Sequence, residues 1–120
     1  MPSDDHSQSL THYTSTARRK SSDDCADMTD VRYEVDRLDR LLVEVIAERV
    51  TYMTAAARIK QSRDRVHDQD RIEDVVAKVL AQAKDHGLPA EIAEPIWRLM
   101  IDRCIAYEYE RWDEIRESDT

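Results

Sequence analysis

Three cations, Arg32, Arg49 and Lys60, fall on one stretch without Gly or Pro, VRYEVDRLDRLLVEVIAERVTYMTAAARIK (residues 31–60). A guanidinium meets a carboxylate through two parallel hydrogen bonds and an ammonium is a compact charge with three donors, so such groups at the right spacing can clamp a small dianion. On an α-helix, at about 100° and 1.5 Å per residue, Arg49 and Lys60 share a face to within about 20° and stand roughly 16 Å apart along the axis. Two long side chains leaning together could hold a dianion between them. Arg32 lies about 25 Å from Arg49 and about 100° around the axis, out of reach of the same ligand on a straight helix. If it contributes, it comes from another subunit. By spacing alone, Arg49 and Lys60 read first as solvated charges whose stems cover apolar neighbours.

The elements that must carry these groups follow from the apolar period. Val31, Val35, Leu38, Leu42, Val45, Ile46, Val50, Met53 and Ala57 recur at three- and four-residue steps, which predicts a buried helical stripe from Thr29 to Lys60, with Thr29 or Asp30 as N-cap. Such a helix is roughly 45 Å long, more than the rest of a small chain can cover. An antiparallel pairing of two copies would cover it and bring the first turn of one beside the middle or end of the other. QSRDRVHDQD (61–70) loses the period and reads as a loop. A second helix follows, capped by Asp68 or Asp70, with Ile72, Val75, Val76, Val79, Leu80 and Ala83 inward, and it ends at His86-Gly87. Leu88-Pro89 opens a third, with Ile92, Ile96, Leu99, Met100, Ile105 and Tyr109 or Trp112 inward. The expectation is an all-α, three-helix chain, long, medium and long, forming an intertwined antiparallel homodimer. Residues 1–28, polar and without period, read as a disordered or loosely ordered tail, and 29–117 as the helical domain.

Composition limits what the chain can do. It has 120 residues, 41% of them hydrophobic, enough for one small core. With 26 acidic against 18 basic residues and a net charge of −8, it is a poor general binder of nucleic acid, so any anion site must be local. One Gly, three Pro and no Phe suit an all-α protein. Cys25 and Cys104 occupy unlike contexts with no CxxC spacing, so both are expected reduced. Arg18-Arg19-Lys20 precedes no apolar segment, and no long apolar run is present, so the expectation is a soluble cytoplasmic protein without export signal or membrane span. His67 and His86 lack companions at ligand spacing, so neither metal nor cofactor is expected.

Three segments taken together, VRYEVDRLDRLLVEVIAERVTYMTAAARIK, VHDQDRIEDVV and IDRCIAYE, resemble the all-α chorismate mutase family, including its isochorismate-pyruvate lyase relatives, over residues 29–116. The resemblance rests on Arg32, Asp36 and Asp39, on Glu48-Arg49, on Lys60, and on Asp68 with Arg71, in that order and spacing. It implies a homodimer of three-helix chains with two active sites, each completed by the partner. It further implies a cofactor-free Claisen rearrangement of chorismate to prephenate, a step of the shikimate pathway toward aromatic amino acids. Catalysis there amounts to holding a near-attack conformer and stabilising charge on the breaking ether oxygen. By position, Arg32 acting in trans and Arg49 would bind the two carboxylates, Lys60 the ether oxygen and one carboxylate, while Asp68 and Arg71 would lie near the ring hydroxyl. Asp68 as a helix cap and Arg71 as a surface ion pair are the plain alternatives.

Two departures from the family pattern bear on chemistry. Ile72 stands where mutases commonly carry a Glu for the ring hydroxyl, and the lyases also carry an apolar residue there, so isochorismate-pyruvate lyase, forming salicylate, is the runner-up, with an aminodeoxychorismate mutase beside it. Asp68, kept as in the mutases, and Ile72 therefore point to different substrates. Glu108 falls where many relatives have Gln facing the ether oxygen; a carboxylate there would repel developing charge, whereas its protonated form could donate. Activity is accordingly expected to rise as pH falls below neutrality, and Glu108→Gln to flatten the profile. The plain alternative pairs Glu108 with Arg111 or Arg103 on the helix surface. Cys104 matches a position near a substrate carboxylate, although a small core residue is the simpler reading. A non-catalytic helical dimer is the competing class of function.

Overall fold

The computed structural model describes residues 18–118, and every regular element in that span is helical. Helix α1 runs Met28–Ile59, α2 Gln69–Asp85 and α3 Ala90–Ser118, with short 3-10 turns at Ser22–Asp24 and Arg63–Arg65. This is the long, medium, long order that the apolar period predicts. The chain divides into two compact units within α1, between Arg49 and Val50.

In the first unit α1 starts one residue ahead of Thr29, and its cap is neither Thr29 nor Asp30 but Asp27. The Asp27 carboxylate accepts from the Asp30 N–H at 3.0 Å, while the Asp30 carboxylate reaches back to the Ala26 N–H at 2.9 Å. Two acids three apart thus satisfy donors at the helix start reciprocally, as in a capping box. The Ala26 N–H first, and then Lys20, whose Nζ is 2.9 Å from Asp30 Oδ2, hold the Asp30 carboxyl below the usual carboxylate range. Residues 18–27, assigned by composition to the tail, run along the first turns of α1. The Arg19 and Lys20 N–H groups donate to Glu34 Oε2 at 3.0 and 2.9 Å, Arg37 Nε donates to Glu34 Oε1 at 2.8 Å, and the Arg19 guanidinium lies 3.9 Å over the Tyr33 ring. Residues 1–17 lie outside the described residues. Val35, Leu38, Leu42, Val45 and Ile46, expected as a buried stripe, each keep 40% or more of their surface exposed in the single chain. Their spacing makes one apolar face, and among the described residues no second α-helix belongs to this unit to cover it.

The second unit holds the end of α1, α2 and α3. Its core is Ala57, Val66, Val76, Ala83, Ala93, Ile101 and Cys104. Asp68 caps α2, its Oδ1 accepting the Arg71 N–H at 3.1 Å. At the other end Gly87 adopts φ +74°, the Leu88 N–H donates to Ala83 O at 2.8 Å and the Gly87 N–H to Lys84 O at 3.3 Å. This Schellman turn, which needs a residue tolerant of the left-handed region, reverses the chain into α3. Helices α2 and α3 pack together. Arg98 fastens them, its two terminal nitrogens donating to the Glu73 carboxylate at 2.9 and 3.1 Å while its Nε donates to Glu94 at 2.9 Å.

The inner face of α3 differs from the expected one. Ile92, Ile96 and Leu99 are about half exposed, at 47%, 53% and 55%, whereas Ala93, Ile101, Cys104 and Glu108 are buried. Buried Ala83 and Ala93 flank the turn, so small residues rather than the largest aliphatics face inward there. Neither cysteine is in a disulfide, Cys25 being half-buried and Cys104 buried. Among the described residues no helix is long and apolar enough to cross a membrane, and no group of His, Cys, Asp or Glu could hold a metal.

Candidate active site

The chemistry-bearing residues of the second unit converge where α1 stops. The helix ends at Ile59, yet the Lys60 N–H still donates to Ala56 O at 2.9 Å, so Lys60 is the half-in residue that closes the last turn. Its Nζ lies 2.8 Å from Glu108 Oε2 and donates to Val66 O at 3.4 Å. Glu108 is 4% exposed, the one buried charged residue among those described. The Lys60 contact is at ion-pair distance but off the hydrogen-bonding direction, so Oε2 has a counter-charge and no aligned donor. A shielded carboxylate oxygen with a hydrogen-bonding direction unused is a place for a substrate atom to come.

This pair adjoins an opening of about 500 Å³ lined by Lys60, Arg65, His67, Asp68, Gln69 and Asp70. That volume suits a small organic acid. The sequence-predicted residues distribute unevenly around it. Lys60 and Glu108 are brought into contact, and Asp68 reaches the same opening as Lys60 while also capping α2. Arg71 is exposed and pairs with Asp74 at 2.9 Å, and Ile72, half-buried one residue on, is also absent from the lining. Cys104 is buried in the core one turn before Glu108. Arg32, exposed, and Arg49, half-buried, belong to the first unit. Of the two alternative surface partners of Glu108, Arg111 and Arg103, Arg111 donates to Glu114 at 2.6 Å and lies 4.9 Å over the Tyr107 ring.

Trp112, offered by the sequence as an inner residue of the last helix, and Arg116, which the sequence pattern did not single out, hold the backbone of Lys60. Trp112 Nε1 donates to Lys60 O at 3.1 Å, and Arg116 donates to Ala57 O at 2.7 Å and to Lys60 O at 2.6 Å, its guanidinium 4.2 Å over the Trp112 ring. The end of a helix leaves its last carbonyls without intrahelical partners and carries partial negative charge, so a forked cation is well matched to it. Glu108, Trp112 and Arg116 are spaced at four and four, one face of α3, and that periodicity was the available signal. Nearby, Arg63 donates to Asp113 through Nε at 2.9 Å and through a terminal nitrogen at 3.3 Å, and lies 4.5 Å over the Tyr109 ring, tying the 61–68 segment to α3.

A small acid-sized opening beside a lysine that closes a long helix, facing a buried acid from the last helix, fits the family suggested by the motifs, and the family model for chorismate mutase type II matches residues 31–109. The chain belongs to that family. An isochorismate pyruvate lyase of Pseudomonas aeruginosa is 28% identical over 97 residues, covering 81% of this chain and 96% of the relative. Within this chorismate mutase-family chain, Lys60, Asp68 and Glu108 fall inside the matched span, whereas Trp112 and Arg116 lie beyond it.

Proposed function

We propose that the protein is a cofactor-free enzyme of chorismate chemistry that rearranges chorismate to prephenate. The observation that carries this reading is the Lys60 ammonium 2.8 Å from buried Glu108 at the edge of an acid-sized opening. In the rearrangement the ether C–O bond breaks as a C–C bond forms within one molecule, and no group of the protein becomes covalently attached. Negative charge grows on the ether oxygen, where the Lys60 ammonium stabilises it, and Glu108 adds a second donor only in its protonated form. By the family's pattern Arg49 and the partner subunit's Arg32 hold the two carboxylates, in a homodimer built on the exposed apolar face of α1. Asp68, which lines the opening beside Lys60, would accept from the ring hydroxyl by the family's pattern.

A second reading, isochorismate-pyruvate lyase, is favoured by the relative of that name and by apolar Ile72. Purified protein incubated separately with chorismate and isochorismate separates the two. Prephenate from the first supports the mutase; salicylate with pyruvate from the second supports the lyase. Turnover of neither overturns both in favour of a non-catalytic role.

A further inference from the structure

We propose that Arg116 is a positioning residue for Lys60, acting through the backbone at the end of α1. The inference rests on the functional reading above for its kinetic consequence, and on geometry alone for its structural one. Lys60 stands where a helix ordinarily frays: α1 has ended, and the carbonyls of Ala57 and Lys60 point out of it without helical partners. Arg116 spans both, at 2.7 and 2.6 Å, and Trp112 adds a second donor to Lys60 O at 3.1 Å. Stacked 4.2 Å over the indole, the guanidinium is itself oriented, so the two side chains form one clamp. Neither touches the Lys60 ammonium in these bonds; they fix the main chain from which it extends.

A catalytic ammonium displaced by about 1 Å forfeits on the order of a hundredfold in rate even when the displacement originates outside the reacting groups. The clamp lies past the span matched by the family model. Lysine in place of Arg116 retains the charge but lacks the planar fork that meets the two carbonyls through separate nitrogens.

The test uses the full chain with Arg116→Gln and Arg116→Lys, reading kcat and KM on whichever substrate the wild type turns over, alongside amide hydrogen exchange at residues 58–62. The expected result for Arg116→Gln is a fall in kcat of about ten- to a hundredfold with KM changed less than about threefold, faster exchange at 58–62, and unchanged exchange in α2. Arg116→Lys should fall between it and the wild type. Faster exchange with unchanged kcat overturns the catalytic part of the inference, and unchanged exchange overturns the clamp itself. Wild-type protein that converts neither chorismate nor isochorismate refutes the functional reading instead, and the clamp then stands or falls by exchange.

Discussion

Removing either member of the Lys60–Glu108 pair should destabilise the protein by very different amounts. The Glu108 side chain is 5% exposed and that of Lys60 30% exposed. Lys60→Met therefore strands a carboxylate away from water, and stranding a buried charge costs about 3–5 kcal/mol, with about 3 kcal/mol apt here because the neighbouring opening admits solvent. Glu108→Gln instead leaves an ammonium that still reaches water and keeps Val66 O at 3.4 Å, a loss of about 1 kcal/mol. The difference, about 2 kcal/mol, corresponds to a gap in Tm of about 8 °C at fixed protein concentration for a chain of this size. The double variant buries no charge and should lie within about 1 kcal/mol of wild type while remaining poorly active, since the Lys60 ammonium that stabilises charge on the ether oxygen is gone, a loss of about 10²–10³ in kcat. Urea unfolding followed by circular dichroism measures the three stabilities and a prephenate or salicylate assay the activity. Glu108→Gln proving as damaging to stability as Lys60→Met, or a double variant no better than Lys60→Met, would refute the claim that a shielded carboxylate depends on this lysine.

If each site takes Arg32 from the partner, mixing inactive Arg32→Ala and Lys60→Met chains under subunit exchange should restore about a quarter of wild-type activity, because half the dimers are mixed and each has one intact site; no restoration in mixtures shown to exchange argues against the composite site. Glu73 is held below the usual carboxylate range chiefly by its hydrogen bonds from Arg98, so its contribution to the α2–α3 contact is complete above the ordinary value of 4.5 and disappears as pH falls through the lowered one. Unfolding measured from pH 2 to 6 should show that segment of acid lability, flattened by Glu73→Gln. Gly87→Ala meets no atom within 4 Å, so its penalty is the left-handed backbone alone, about 1 kcal/mol, read as a small fall in Tm with activity kept.

The helices were legible because period and punctuation agreed: α2 stops at Asp85, just before Gly87, as the glycine's position after the apolar stripe required, and of the two cap candidates, Asp68 and Asp70, Asp68 caps it. The start of α1 was harder, since Asp23, Asp24, Asp27 and Asp30 are all cap-competent and only the reciprocal bonds distinguish Asp27. On α3 the period allowed more than one inner face, and the aliphatic weight of Ile92, Ile96 and Leu99 pointed to one that is half exposed. Lys60 and Glu108, remote in sequence, were joined by family spacing and not by any local rule. Trp112 was expected as an inner residue of the last helix and not as a donor, and Arg116 escaped notice, because their partners are main-chain carbonyls, which every residue carries and no side-chain pattern announces.

The four-residue spacing of Glu108, Trp112 and Arg116 also sets which insertions and deletions the site can survive. One residue added between Glu108 and Trp112 would turn everything downstream by about 100° and swing both donors off the Lys60 carbonyl, leaving the acid in place but its lysine untethered. The same addition at residues 61–62, between the clamp and the Arg63–Asp113 tie, turns no helix and can be taken up as slack. Length variation among functional versions of this chain should therefore collect between α1 and α2 and be absent from residues 108–116, a pattern that random insertion followed by selection for activity can map directly.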